Sequence, residues 1–452
     1  MDIEKDVSRP IKILLWAAAC LFLLAKAPSI TAMESQKAPT KKPNVILIVC
    51  DAMRADHLGV YGYRRNTSPA IDRLSRESVL FKNAISQAPT TIPSVLQLMT
   101  GNFLQGEKID PKDITLAEAL SQNGYATAAI VDNPNFELYN TGVARGFQDF
   151  YRNAVLDSTV EGQHYKTKTP ADVVTQTAIR WLKKTSQRPF FLWLHYFDPH
   201  DPYSPPYALD LPFVDEHESA WTGDIRNTFL YAPDREKRPY TETDRLHLID
   251  LYDAEIYYLN LCLQDLFDDL RKYGLYDESL IILTADHGES FGEHGTWFHG
   301  RSVFDSEIRI PLIIKLPAGS RRQETVAHPV QLINVYPTIL SLLGLNVPAG
   351  VRKKNILTAT DPYGFLLYGD WIVVRGARWK LISDEKEKME FVFDVEQDPG
   401  ETRNLASEKP AVLRTLRDAK RDWLKTLPQS YEAAAKQSKE LMDRLKSLGY
   451  IK

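Results

Sequence analysis

Cysteine is scarce in this chain. Three residues, Cys20, Cys50 and Cys262, are spread over 452 positions. That excludes a disulfide framework, and the lack of any Cys-x-x-Cys pair argues against zinc held on thiolates. A basic excess is also missing, since 55 Lys and Arg stand against 59 Asp and Glu, for a net charge of −4. A nucleic-acid groove would need a surplus or a clustered stripe of positive charge, so no nucleic-acid partner is expected. No apolar run reaches the roughly 20 residues of a membrane span. The nearest to one is Ile13–Ala25, preceded by Arg9 and Lys12 and followed by the small residues Ala27, Ser29 and Ala32. This pattern predicts a signal peptide cut after Ala32, or a short retained anchor. The protein is therefore expected to be exported, to a periplasm or an extracellular face, with membrane association through the N-terminus if the segment is kept. Repeats and low-complexity tracts are absent.

What is present is a long alternation of strand and helix signals. The continuous apolar, β-branched run 45–49 reads as a strand buried on both faces. A short helix is expected within 69–82. Pro93 pushes Ile92 towards an extended conformation, and 94–100 then reads as a helix start, with Thr91 just ahead of it. Further helices are expected at 115–122, 171–186, 246–272 and 334–343, and strands at 126–131, 190–196, 279–283 and 310–315. Residues 201–245, rich in Pro, Asp and Tyr, read as a long irregular insertion. From about 360 the pattern changes to short strands at 364–367, 371–375, 379–382 and 391–394, then helices at 407–425 and 431–447. The expected fold is α/β: a mostly parallel central sheet flanked by helices, with a small C-terminal antiparallel sheet and helices. Boundaries follow: 1–32 signal or anchor, 33–43 linker, 44–358 catalytic domain, and 359–452 C-terminal α+β subdomain.

Asp51 follows the first strand, Asp286 and His287 follow a later one, and Thr91 precedes a helix. In a parallel α/β sheet these strand ends share one edge, where ligands bind. A threonine hydroxyl is a weak nucleophile until a divalent cation lowers its pKa. Asp51, Thr91, Asp286 and His287 could form such a cation's ligand set. Mixed oxygen and nitrogen donors favour Zn or Mn, with Ca or Mg as alternatives. His200 and His299 are candidates for contacting a substrate anion and protonating a leaving group. Asn133, His195 and Asp198 are further candidates for binding substrate or orienting a histidine. No second set of Asp and His ligands for a two-metal site is apparent. His57 and His294 read as loop-orienting residues, and Cys50 as packing.

Several segments together resemble the alkaline phosphatase superfamily, in its sulfatase-like branch. Asp51-Ala52-Met53-Arg54-Ala55-Asp56-His57 looks like the first metal loop, and Thr91-Ile92-Pro93-Ser94 with Leu98-Met99-Thr100-Gly101 like the nucleophile segment. His195-Tyr196-Phe197-Asp198-Pro199-His200 looks like the substrate-anion loop. Thr284-Ala285-Asp286-His287-Gly288-Glu289 looks like the second metal loop, with Phe298-His299-Gly300 after it. Asp398-Pro399-Gly400-Glu401-Thr402-Arg403-Asn404-Leu405 is similar to the C-terminal signature. The resemblance spans about residues 43–450. It implies transfer of an ester group to the nucleophile, then release to water or an acceptor alcohol.

The chain departs from the sulfatase pattern at the nucleophile. Sulfatases resemble Cys-x-Pro-Ser-Arg there, with the cysteine converted to formylglycine. Here Thr91 stands in the cysteine's place, Val95 in the arginine's, and Cys50 replaces one acid of a usual pair. Threonine cannot become that aldehyde. The expected activity is therefore hydrolysis or transfer of phosphate or phosphonate esters through a Thr91 covalent intermediate. The alternatives are a sulfuric-ester hydrolase working without formylglycine, or a catalytically silent binder of anionic glycans or lipid headgroups. The expected partner is an anionic ester on a lipid headgroup, a glycan or a small molecule.

Overall fold

The computed structural model describes residues 42–427, apart from 105, 134–135, 137–139, 153–155, 161–162, 168–169, 186–187, 207–211, 214–239 and 321–322. The expected signal segment, nearly all of the linker, most of the 201–245 insertion and the 431–447 helix lie outside the described residues. No described helix is long and apolar enough to cross a membrane.

In chain order the strands are β1 (Asn44–Cys50), β2 (Val79–Ile85), β3 (Ala126–Val131), β4 (Asp149–Arg152), β5 (Leu156–Val160), β6 (Gln163–Thr167), β7 (Phe190–Tyr196), β8 (Ser279–Ala285) and β9 (Ser290–Phe291). They continue with β10 (Trp297–Phe298), β11 (Arg309–Lys315), β12 (Glu324–Val326), β13 (Val330–Gln331), β14 (Gly364–Tyr368), β15 (Trp371–Arg375), β16 (Trp379–Asp384) and β17 (Met389–Asp394). The central sheet runs β12-β2-β11-β8-β1-β7-β3-β4, with β13 also on β2. Its core is β1, which pairs in parallel with β7 on one side and β8 on the other. Every residue of β1 is buried, because helices cover both faces of a parallel sheet.

The expected mostly parallel sheet is observed, with one reversal: β11 runs antiparallel to both β2 and β8. The reading of 69–82 as containing a helix needs an addition. The helix ends at Ser75, and Val79–Ile85 is a strand. Its polar Lys82 and Asn83 blur the apolar run that marks the other strands. The long helix begins at Glu242, four residues before its expected start, because Thr241 and Asp244 form a capping box. The nucleophile helix is Thr91–Thr100, so Thr91 is its first residue rather than the one ahead of it.

The C-terminal sheet is antiparallel in the order β14-β15-β16-β17. Its strands alternate as a two-faced sheet must. Val373 and Ile382 pack towards Val303 and Ile308, while Val374, Leu381 and Val392 pack on Leu416 of the helix Pro410–Leu424.

Candidate active site

Register places the first two acids side by side. Cys50, the last residue of β1, aligns with Ala285 of β8 and Tyr196 of β7. The next residues, Asp51 and Asp286, therefore leave the sheet together at its carboxyl edge, both fully buried. Asp286 Oδ1 accepts from the amides of Ala52 at 3.2 Å and His287 at 2.9 Å, so each acid's loop fixes the other's. Gly288 follows because there is no room for more: a Cβ there would lie 2.1 Å from the Ser306 carbonyl oxygen.

Thr91 reaches this pair from the nucleophile helix. Its Oγ1 lies 3.3 Å from Asp51 Oδ1 and 3.3 Å from His287 Nε2. Ser94, one turn further and on the same face, donates to the Asp286 carbonyl at 2.6 Å and docks the helix on the second loop. The N-cap residue Thr90 makes no side-chain cap bond. With Pro93 lacking an N–H, the first-turn amides of Thr91 and Ile92 remain to face an anion.

The two aspartates differ in their electrostatics. Burial and then the Asp286 charge push the Asp51 carboxyl up, although the Asn133 and Thr91 hydrogen bonds oppose this. Burial also pushes Asp286 up, but His287 and His195 outweigh it and hold that carboxyl well below its usual range. Burial lowers His287. Its Nδ1 sits 2.8 Å from the Gly288 carbonyl, which must accept, so Nδ1 carries the proton and Nε2 turns its lone pair towards Thr91 Oγ1, 3.3 Å away.

Two facing buried carboxylates, with Asp286 Oδ2 lacking any hydrogen-bond partner, call for a cation. Asp51, Asp286 and His287 bring donor atoms within 4.8 Å of one another, and Thr91 Oγ1 adjoins them. The donor set therefore fits one divalent ion.

The remaining candidates fall in three places. His200 and His299 stand together at the mouth, ring centroids 4.6 Å apart, and His299 lies 4.4 Å from His287. Burial, then His299, pushes His200 well down, and its Nδ1 donates to the Asp201 carbonyl. Asn133 turns its amide to Asp51 Oδ2 at 2.7 Å and so holds an acid, where a substrate donor was expected. His195 and Asp198 are not at the open face. His195 is fully buried, its Nε2 3.8 Å from Asp286 Oδ2 and 4.0 Å from Asp51 Oδ2, among Phe136 and Trp193. It sits beside Val49 in the register, one residue short of the strand end, which puts it behind the acids. Asp198 is buried near Cys50 and Cys262; burial raises both thiols and the Asp198 charge raises them further. Both residues therefore support the site from behind, a correction to their expected substrate contact.

Sequence patterns now agree with this geometry. The profile of the sulfatase family matches residues 43–345, more than half the chain. The chain belongs to the sulfatase family. Arylsulfatase K of Gallus gallus is 22% identical over 451 residues, covering 83% of this chain and 81% of that one. Two solved structures share the fold. One is a 2-O GAG sulfatase with a TM-score of 0.69 at 19% identity, over 87% of this chain and 94% of that one. The other is the phosphonate monoester hydrolase of Agrobacterium radiobacter, with a TM-score of 0.66 at 20% identity, over 83% and 96%. As a member of this family the chain is a sulfatase-family hydrolase.

Three features of this sulfatase-family site escaped the sequence reading. Arg54 is buried three residues after Asp51. It donates to the Glu289 carbonyl at 2.9 Å and pairs with Glu293 and Asp56 at 2.7 Å, tying the first loop to the second. Its place in the Asp51 loop was the available signal. His200, Asp201 and His299 form a second group with donor atoms within 4.8 Å, although no second Asp and His set was expected. Nothing in their spacing announces it, since Asp201 and His299 lie on different loops. The third is Glu289, whose Oε1 lies 2.9 Å from Nδ1 of His299. It follows directly on Asp286-His287-Gly288.

Proposed function

We propose that this protein hydrolyses or transfers phosphate or phosphonate esters, with Thr91 as the nucleophile. The observation that carries the reading is the position of Thr91 Oγ1, 3.3 Å from both Asp51 Oδ1 and His287 Nε2 at the start of a helix. A hydroxyl so placed has a proton acceptor beside it and amides ahead of it for the anion.

A divalent ion bound by Asp51, Thr91, Asp286 and His287 would lower the pKa of the hydroxyl and screen the charge of the substrate. The chain's own groups do the rest. The Thr91 proton passes to the Asp51 carboxylate, 3.3 Å away. The Thr91 oxygen bonds to phosphorus, the ester bond breaks, and its electron pair leaves with the departing oxygen. His299 or His200 protonates that oxygen, and water or an acceptor alcohol later releases the group from Thr91. The substrate is an anionic ester on a glycan, a lipid headgroup or a small molecule; the likeness to a 2-O GAG sulfatase supports a glycan among these. Export to a periplasm or an extracellular face, with or without an N-terminal anchor, belongs to the same proposal.

A second reading, a sulfuric-ester hydrolase without formylglycine, is supported by the family match itself. A panel of phosphate monoesters, phosphodiesters, phosphonate monoesters and sulfate monoesters decides between them. The zinc- or manganese-supplied chain is expected to turn over a phosphorus ester, and Thr91→Ala to lose about 10³-fold or more. Thr91-dependent turnover of sulfate esters alone would overturn the first reading in favour of the second.

A further inference from the structure

The two mouth histidines are held differently. His200 gives its Nδ1 proton to a backbone carbonyl. His299 has a carboxyl group there instead: Glu289 Oε1, 2.9 Å from Nδ1. Glu289 is fully buried, whereas the His299 side chain keeps 18% exposure. The carboxyl is thus fixed and dry behind a partly exposed ring. Other packing keeps Glu289 in place. Its backbone amide bonds the Ser306 carbonyl, its backbone carbonyl accepts from Arg54, and Tyr203 lies beside its side chain. With Nδ1 occupied, Nε2 is the one nitrogen of His299 left for chemistry. The ring lies 4.4 Å from His287, which itself touches Thr91.

We propose that Glu289 is a positioning residue for leaving-group departure: it holds His299 by Nδ1 so that Nε2 is presented to the ester oxygen. This rests on the function proposed above and assigns His299, rather than His200, the proton transfer. As the phosphorus–oxygen bond breaks, its electron pair goes to the departing oxygen, which takes the Nε2 proton of a His299 ring protonated on both nitrogens and leaves it neutral, with Nδ1–H still on Glu289. The ring recovers a proton from the water that later opens the Thr91 ester. A carboxyl group set behind an imidazole restricts its rotation and fixes which nitrogen acts. A backbone carbonyl, as at His200, orients its ring without placing a carboxyl behind it.

The test compares esters whose leaving groups differ in their need for a proton. An alkoxide must be protonated as it departs, whereas a nitrophenolate leaves without help. In the full chain, Glu289→Leu and His299→Ala are each expected to lower kcat for alkyl esters at least about 10-fold more than for p-nitrophenyl esters. KM should change little. Glu289→Gln, which keeps an oxygen able to accept from Nδ1, is expected to recover part of the loss. Equal losses on both ester classes, or His200→Ala giving the selective loss instead, would overturn the assignment. A second readout needs no turnover. In nitrogen-15 spectra of the histidine rings, with His299 identified by His299→Gln, Glu289→Leu should shift the Nδ1 resonance and Glu289→Gln should shift it less. An unmoved resonance in a folded Glu289→Leu chain contradicts the contact. Should the wild type turn over neither ester class, the proposed function falls, and these spectra alone decide whether Glu289 holds His299.

Discussion

Asp286 shows how one residue serves two ends. Its Oδ1 is committed to the amides of Ala52 and His287, which fixes the two loops, and its Oδ2 is buried with no hydrogen bond, 3.8 Å from His195 Nε2 and 3.9 Å from His287 Nε2. The second oxygen is what a cation would use. Asp286→Asn keeps an acceptor for the amides and removes charge from the ion site. The variant should therefore fold but fail to retain added zinc or manganese after dialysis, measured by elemental analysis. Wild type, at metal concentrations about 100 times Kd, should gain about 2.7 kcal/mol in denaturation experiments, while the variant gains almost nothing. Equal metal content in both chains would remove Asp286 from the ligand set.

At the level of elements, the single turn Asp305–Ile308 ahead of β11 carries a pH signature. Its Glu307 is buried and accepts from Ser302 Oγ at 2.6 Å and Ser290 Oγ at 3.0 Å. Burial outweighs these bonds and pushes the carboxyl up to about 7, from an ordinary value of 4.5. The folded chain therefore binds a proton that the unfolded chain has released between those values, so stability falls as pH rises through that window. Glu307→Gln should flatten the fall between pH 5 and 7.5 by an amount on the order of 2 kcal/mol, read from urea midpoints. An unchanged slope would show that Glu307 does not titrate there. The same elements show what a sequence can reveal. β1, β3, β7 and β8 were legible because strands buried on both faces are continuous apolar runs, and the acids at their ends marked the site. β2 was not, because Lys82 and Asn83 interrupt it, and no local pattern shows that β11 reverses direction. His195 was misplaced for a related reason. Its spacing from His200 is visible, but which side of a strand end faces solvent depends on the register with β1. Glu289 and His299 meet only because β9 and β10 pair as a hairpin, a contact no periodicity encodes.

Across the whole molecule, a buried acid adds an ionic link between the C-terminal sheet and the catalytic domain to their apolar packing. Asp305 pairs with Arg375 at 2.9 Å and Lys380 at 2.8 Å, and Lys380 pairs with Glu401 at 2.6 Å. Asp305→Ala leaves Arg375 without a carboxylate and Lys380 with Glu401 alone in a dry interface, and should cost roughly 3–5 kcal/mol in denaturation experiments. A loss under 1 kcal/mol would mean that apolar packing alone joins the sheets. The assembly brings three strand ends and one helix start to a single point, and the central claim is that Thr91 at that point becomes covalently modified. The most direct test is to quench the metal-supplied chain during turnover of a phosphonate or phosphate ester and map the adduct by mass spectrometry. A phosphoryl or phosphonyl group is expected on Thr91, absent from Thr91→Ala. An adduct on another residue, or turnover that survives Thr91→Ala, would contradict it.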